Sequence, residues 1–403
     1  MEWKLKDLTV DGKGSYGIGA PAVPYQEDKL TYLRITDIND DGSLNFSDLK
    51  SVDAEDAEKY ILKENDIVFA RTGNSTGRSY FYEKQHGTFV YAGFLIKFSL
   101  DPNKVNPRIL KYYTHSKPYF DWVNSFDTGA TRGNINAKTY GDMEIELPSR
   151  KVQDKIVSIL SSLDRKIELN NKINADLEEM AQAIFKNWFV DFEPFKDGKF
   201  VDSELGMIPE GWKVGTLGEF CKCLLGGTPS RSKEEYWNGE VNWINSGEIN
   251  KFRILEASEK ITELGLAKSA TKLLPKKTTV LAITGATLGQ VSLLEIDTCA
   301  NQSVIGVLEN TEVPYEYIYP FIKDRIEMLI QHQTGGAQQH INKDNVESLI
   351  FLLPAINVLE DYISLVSPMY KRIESQCFEN LYLSTLRDTL LPRLMSGELE
   401  VPE

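Results

Sequence analysis

Two short loops carry the side chains best suited to meeting a polyanion or the edge of a base. Thr72-Gly73-Asn74-Ser75-Thr76-Gly77 is small, hydroxyl-rich and glycine-bearing, with Arg71 and Arg78 on its flanks. Thr284-Gly285-Ala286-Thr287-Leu288-Gly289 repeats the pattern, and Gln290 follows it. Glycine lets a backbone approach a ligand closely, and hydroxyl and N–H groups hydrogen-bond phosphate. A second pair of loops offers Thr131, Arg132, Asn134 and Asn136 in one place and Gln338, Gln339, His340 and Asn342 in another. Arginine matches guanine, and Gln or Asn matches adenine, through paired hydrogen bonds in the major groove. A single Gly-Thr turn is ordinary hairpin chemistry. Recurrence of both loops makes these residues candidate nucleic-acid contacts.

Nothing comparable points to catalysis. The chain has no P-loop, no strand followed by a dinucleotide-binding glycine pattern, and no Pro-Asp dipeptide. Its histidines, His86, His115, His332 and His340, are scattered without ligand spacing. Cys221-x-Cys223 has no second cysteine pair or histidine cluster nearby, so no metal site is expected. The chain is read as non-catalytic, with no catalytic residue.

Loops of this kind need a scaffold, and the longest element is legible. Ile156, Leu160, Leu163, Ile167, Asn170, Asn174, Leu177, Ala181, Ile184 and Trp188 recur at alternating steps of three and four, the seam of a coiled-coil helix. Tyr362, Val366, Met369, Ile373, Gln376, Asn380, Leu383, Arg387, Leu390 and Leu394 form a second seam. Each of these lies 206 positions after its counterpart. The polar interruptions coincide, Asn170 and Asn174 against Gln376 and Asn380; such residues fix register and partner at some cost in stability. The two helices are expected to pair with each other, antiparallel.

What precedes each helix is also duplicated. Trp3-Lys4-Leu5 matches Trp212-Lys213-Val214, and Tyr32–Asn39 matches Trp243–Asn250. Val68–Gly73 matches Val280–Gly285, and Gly129, Ile135, Asn136 and Pro148 match Gly335, Ile341, Asn342 and Pro354. Strands are expected over 30–35, 67–72, 89–92, 94–98 and 143–147, and a helix over 107–123. The predicted organisation is a first domain over 1–148, a helix over 149–190, a linker over 191–211, a second domain over 212–354 and a second helix over 355–397. The fold class is α+β: two mixed α/β domains separated by two long antiparallel coiled-coil helices, a pseudo-two-fold tandem repeat. Such a pseudo-dimer suits a duplex target made of two half-sites, and divergent domains would read different halves.

Composition sets bounds on this reading. The length of 403 residues calls for more than one core. No run of 18 apolar residues is present and the N-terminus lacks a signal-peptide core, so neither membrane nor export is expected and a cytoplasmic location fits. The net charge of −14 runs against nucleic-acid binding in isolation. Contact must then be local and assisted by basic partners.

The duplicated unit, Ile208-Pro209-Glu210-Gly211-Trp212 at the start of the second copy, the Thr-Gly-to-Gly loops at 72–77 and 284–289, Ile-Asn before Pro at 135–148 and 341–354, and the closing Leu394-Met395-Ser396-Gly397-Glu398-Leu399 resemble the specificity (S) subunit of type I restriction-modification systems. The resemblance covers nearly the whole chain. It implies two target-recognition domains on double-stranded DNA, with a bipartite asymmetric target whose gap the helices set. It implies two methyltransferase subunits using S-adenosylmethionine on adenine N6, and two restriction-translocase subunits using ATP and Mg²⁺. These cofactors lie on the partners and none on this chain. Thr131-Arg132 stands opposite Ala337-Gln338, a departure that leaves the base-reading side chains open. The same module in a type IIB or phage-exclusion methylation system fits the pattern too, as does a coiled-coil assembly scaffold that binds no DNA.

Overall fold

The computed structural model describes residues 2–126, 133–331 and 341–401. Two compact units make up the chain: Met1–Lys166 with Leu383–Glu403, and Ile167–Tyr382. Each takes in one globular fold and the stretches of both long helices that pack on it. The boundaries therefore cut through the helices, because each helix part is held by the fold it touches.

In the first unit, Ser15–Tyr16, Leu95–Ser99, Asp66–Ala70 and Ser79–Phe81 form one antiparallel sheet in that order. The central strand reads Asp-Ile-Val-Phe-Ala and is buried throughout, as a strand covered on both faces must be. A second sheet holds Ala22–Pro24, Lys50–Val52, Thr31–Leu33 and Phe89–Tyr91, the last two parallel. Glu2–Lys4 pairs with Glu144–Glu146. The helix expected over 107–123 is two helices, Arg108–Tyr113 and Lys117–Asn124. Pro118 lacks an N–H and belongs in a first turn, so the helix must restart just before it.

The second unit has the same sheet order, with Lys222–Leu225, Val304–Leu308, Thr279–Ala282 and Val291–Leu293. Three backbone bonds fix the correspondence. Leu5 N donates to Met143 O as Leu217 N does to Leu349 O. Gly17 N donates to Leu95 O as Gly226 N does to Val304 O. Ile135 N donates to Arg71 O as Ile341 N does to Ile283 O. This register corrects one expected match: Trp3 pairs with Ile145, while the residue paired with Phe351 is Gly215, not Trp212. Trp212 instead packs against Phe189, Phe192 and Phe195. The stretch read as a linker carries a hairpin, Phe200–Ser203 with Gly206–Pro209.

The long helices span Arg150–Phe189 and Ile356–Met395. In the first unit Ile156, Val157 and Leu160 share a core with Leu391 and Leu394. In the second, Ala181, Phe185 and Phe189 share one with Leu359, Tyr362, Val366 and Tyr370. Rising numbers on one helix meet falling numbers on the other, so the pairing is antiparallel within each unit. Leu163, Ile167, Leu177, Ile184, Met369, Leu383 and Leu390 are half-buried, while Ile156, Leu160, Tyr362, Val366 and Ile373 are fully buried. The buried line shifts by one residue along the way, to Glu178, Phe185 and Phe189 on the first helix and to Tyr370 and Leu391 on the second. A straight helix turns every 3.6 residues and drifts about 20° per heptad from a strict 3.5 repeat, a drift in the direction of the shift.

Polar side chains occupy the seam where the sequence places them. Gln376 Nε2 donates to Asn170 Oδ1 at 3.0 Å, and Asn170 Nδ2 donates to Asn380 Oδ1 at 2.8 Å. Asn174 Nδ2 reaches the Cys377 sulfur at 3.6 Å. Charges fasten the helices to their folds. In the first unit Asp164 meets Arg387 at 3.0 Å and Lys111 at 3.1 Å, and accepts from the Tyr112 hydroxyl at 2.9 Å. In the second, Glu178 accepts from Arg253 at 2.7 Å and Lys323 at 2.9 Å, and Lys277 bridges Glu295 and Glu374. Among the described residues no helix is long and apolar enough to cross a membrane, and no metal-holding group of His, Cys, Asp or Glu is present.

Candidate nucleic-acid interface

The Thr-Gly loop of the first unit leaves the buried strand Asp66–Ala70 and makes a tight 3-10 turn over Gly73–Ser75. The second unit repeats this, with a turn over Gly285–Thr287 after the strand Thr279–Ala282. Thr72 and Thr284 precede the turns in extended backbone. Gly73 and Gly285 have φ near +73° and +74°, and a Cβ on either would meet open space. The loop tips thus present bare backbone, with Asn74 and Gly285 exposed.

Gly77 and Gly289 have a different reason to be glycine. Their φ values are +90° and +84°. A Cβ on Gly77 would lie 2.6 Å from Val123 Cγ1, and one on Gly289 would collide with Ile330. These two positions let the loop pack on the helix behind it and do not face a ligand.

Several expected contacts are committed internally. Ser75 is buried at 7% exposure. Thr76 donates its hydroxyl to Gly73 O and Gly133 O, both at 2.9 Å, tying the two loops together. Arg78 is held by Asp40 at 2.6 Å and by Ile38 O at 3.0 Å. Asn136 caps the helix Ala137–Gly141 by accepting from Thr139 N at 3.0 Å. Asn342 caps Lys343–Glu347 by accepting from Asn345 N at 2.8 Å. In each Asn the side-chain oxygen is engaged in the cap, which leaves the amide nitrogen as the freer group for a base. Gln290 and Asn134 are exposed, and Thr284 and Thr287 half-buried. Thr131, Arg132, Gln338, Gln339 and His340 lie outside the described residues.

Gly73-Asn74-Ser75-Thr76-Gly77 also spells the G-x-S-x-G pattern of a hydrolase elbow. That elbow exposes its serine on a strand-to-helix turn. Here Ser75 is buried and the turn leads to the strand Ser79–Phe81, so the pattern is met only in letters.

Arg71 behaves differently from Arg78. Its guanidinium lies 5.2 Å from the Tyr16 ring centroid and 5.9 Å from that of Phe94. Its Nε is buried and has no hydrogen-bond partner among the described residues. Tyr16 and Phe94 are far away in sequence and gave no signal there. They arrive because strand Ser15–Tyr16 pairs with Leu95–Ser99, and Arg71 N donates to Phe94 O. The arrangement is a glycine-tipped loop with open backbone, one cation between two exposed rings, and a second loop tied to the first. It can meet a phosphate backbone or a base edge, and it holds no acid–base or nucleophile pair among the described residues.

Known proteins carry the same plan. The family model of the type I restriction modification DNA specificity domain matches twice, over residues 16–179 and 209–376. The chain is 29% identical over 299 residues to the type I restriction enzyme MjaIX specificity subunit of Methanocaldococcus jannaschii, covering 73% of this chain and 69% of that one. It is 24% identical over 405 residues to the type I restriction enzyme HindI specificity subunit of Haemophilus influenzae, covering 85% and 88%. Its fold resembles the crystal structure of a type I restriction-modification system S subunit from M. genitalium, with a TM-score of 0.58 and 15% identity over 100% of this chain and 96% of that one. Two matched repeats, each with its own Thr-Gly loop and long helix, account for most of the length, and the chain belongs to the type I restriction-modification DNA specificity family.

Proposed function

We propose that this chain reads a bipartite, asymmetric duplex DNA sequence, one part with each recognition unit, and that its paired helices set the gap between the parts. The observation that carries the reading is a single loop scaffold, repeated with matching backbone bonds and furnished with different side chains: Arg71 against Ile283, and Arg78 against Gln290. Two copies of one scaffold with different surfaces are what an asymmetric target requires.

The chain does no chemistry of its own in this reading. It holds two methyltransferase subunits, which bring S-adenosylmethionine to adenine N6, and two restriction-translocase subunits, which bring ATP and Mg²⁺. The net charge of −14 fits a reader whose phosphate contacts come largely from basic partners. Many of its own arginines are already paired with carboxylates: Arg34 with Asp37, Arg108 with Glu83, Arg231 with Glu259 and Arg253 with Glu178.

A mobility-shift experiment with the co-expressed methyltransferase, on a pool of random duplexes, tests this. Selective retention of duplexes sharing a two-part sequence supports the reading. Complex formation without any sequence preference would make the chain an assembly scaffold instead.

A further inference from the structure

The two units share the backbone around the Thr-Gly loop but not the side chains it presents. Arg71 N donates to Phe94 O as Ile283 N donates to Ser303 O. Tyr16 is paired with Ile96 as Leu225 is with Ile305. Tyr16, Arg71 and Phe94 therefore stand where Leu225, Ile283 and Ser303 stand in the second unit. Where the first unit holds a cation beside two rings, the second has exposed Leu225, half-buried Ser303 and the buried core residue Ile283.

The cluster is held ready. The Tyr16 hydroxyl accepts from Ala137 N at 3.1 Å, so the ring is anchored to the helix that follows the second loop. Tyr16 is 43% exposed and Phe94 55%, so both rings reach solvent beside the guanidinium. No carboxylate pairs with Arg71 among the described residues, whereas Arg34, Arg78 and Arg108 are each ion-paired. Two rings within cation–π range of the guanidinium limit how far the arginine fork must be ordered when it binds, and the fork matches the O6 and N7 acceptors of guanine.

We propose that Arg71, clamped by Tyr16 and Phe94, reads a guanine in the part of the target facing the first unit, and that Leu225, Ile283 and Ser303 leave the second unit without this preference. The proposal rests on the reading of both units as duplex readers. A phosphate anchor carries no sequence information and would serve both copies equally. A base reader is the contact that has to differ between copies if the two parts differ. Leu225, 40% exposed, gives the second unit an apolar side chain suited to a thymine methyl, while Ile283 is buried in the core.

The test is methylome sequencing of cells expressing the full chain with its methyltransferase, as wild type, Arg71→Lys, Arg71→Ala and Phe94→Ser. Lysine keeps the charge and loses the fork. Expected is a guanine in one part of the wild-type motif and a relaxation at that position alone in Arg71→Lys, with discrimination falling about 10- to 100-fold. Phe94→Ser, at an exposed position, relaxes the same base to a smaller degree. An unaltered motif in Arg71→Lys, with uniformly weaker binding in Arg71→Ala and a salt slope lower by about one, would make Arg71 a phosphate contact and overturn the proposal. A wild type with no two-part motif would overturn the duplex-reading function itself, and this assignment with it. Should Arg71→Ala fail to fold, Arg71→Lys and Phe94→Ser decide.

Discussion

Single residues in the two loops divide by task. Gly73 and Gly77 sit four positions apart and both have positive φ, yet only Gly77 is walled in by a side chain. Gly73→Ala is expected to cost about 1 kcal/mol through backbone strain alone, while Gly77→Ala adds a clash with Val123 and costs about 2–4 kcal/mol. Denaturant midpoints of the two variants check this, and equal losses would contradict it. Asn136→Ala and Asn342→Ala each remove a helix cap and are expected to cost about 1 kcal/mol. The sequence showed that the loops recur, since Thr-Gly and Gly stand at matching intervals. It did not show which hydroxyls and amides are used up internally. Thr76 bonds across to Gly133, 57 residues away, and Arg71 meets Tyr16 from a distant strand; neither contact leaves a local pattern.

The long helices carry the clearest written message, because a seam is a local, periodic feature. Their polar interruptions proved to be partners, Asn170 with Gln376 and Asn380. Buried Asn174 Oδ1 and Gln376 Oε1 have no hydrogen-bond partner among the described residues, and a buried unpaired acceptor costs about 1–3 kcal/mol. Replacing Asn170, Asn174, Gln376 and Asn380 together with Leu should therefore raise the melting temperature while loosening register; a lower melting temperature would count against the seam. The one-residue shift to Phe185 and Tyr370 could not be read from a strict heptad. Charge pairing adds a pH dependence. Burial pushes the Asp164 carboxyl up, but Lys111 and Arg387 overcome this and hold it below the usual range. Its folded pKa is depressed, so its stabilisation is complete above the ordinary aspartate range near pH 4 and is lost as pH falls through the folded value. Melting temperature is expected to drop on acidification, and Asp164→Asn should lower it at pH 7 by the equivalent of about 1–3 kcal/mol while flattening the acid limb. A steeper acid limb in the variant would contradict the assignment.

For the whole molecule, duplication is the organising fact. It was legible because a repeat is visible without any contact being known, although the wandering offset misplaced Trp212 opposite Trp3 until backbone pairing fixed the register. If the helices set the gap in the target, inserting one heptad at matching places in both adds about 10 Å of helix and should lengthen the unread gap by about three base pairs, with both read parts unchanged. The most direct test compares the methylomes of cells that carry the chain and its methyltransferase with cells in which only this chain is deleted. The account predicts a two-part motif with N6-methyladenine in both parts, lost completely on deletion. N6-methyladenine at the same sites without the chain, or no two-part motif with it, would contradict the claim that this chain reads the target.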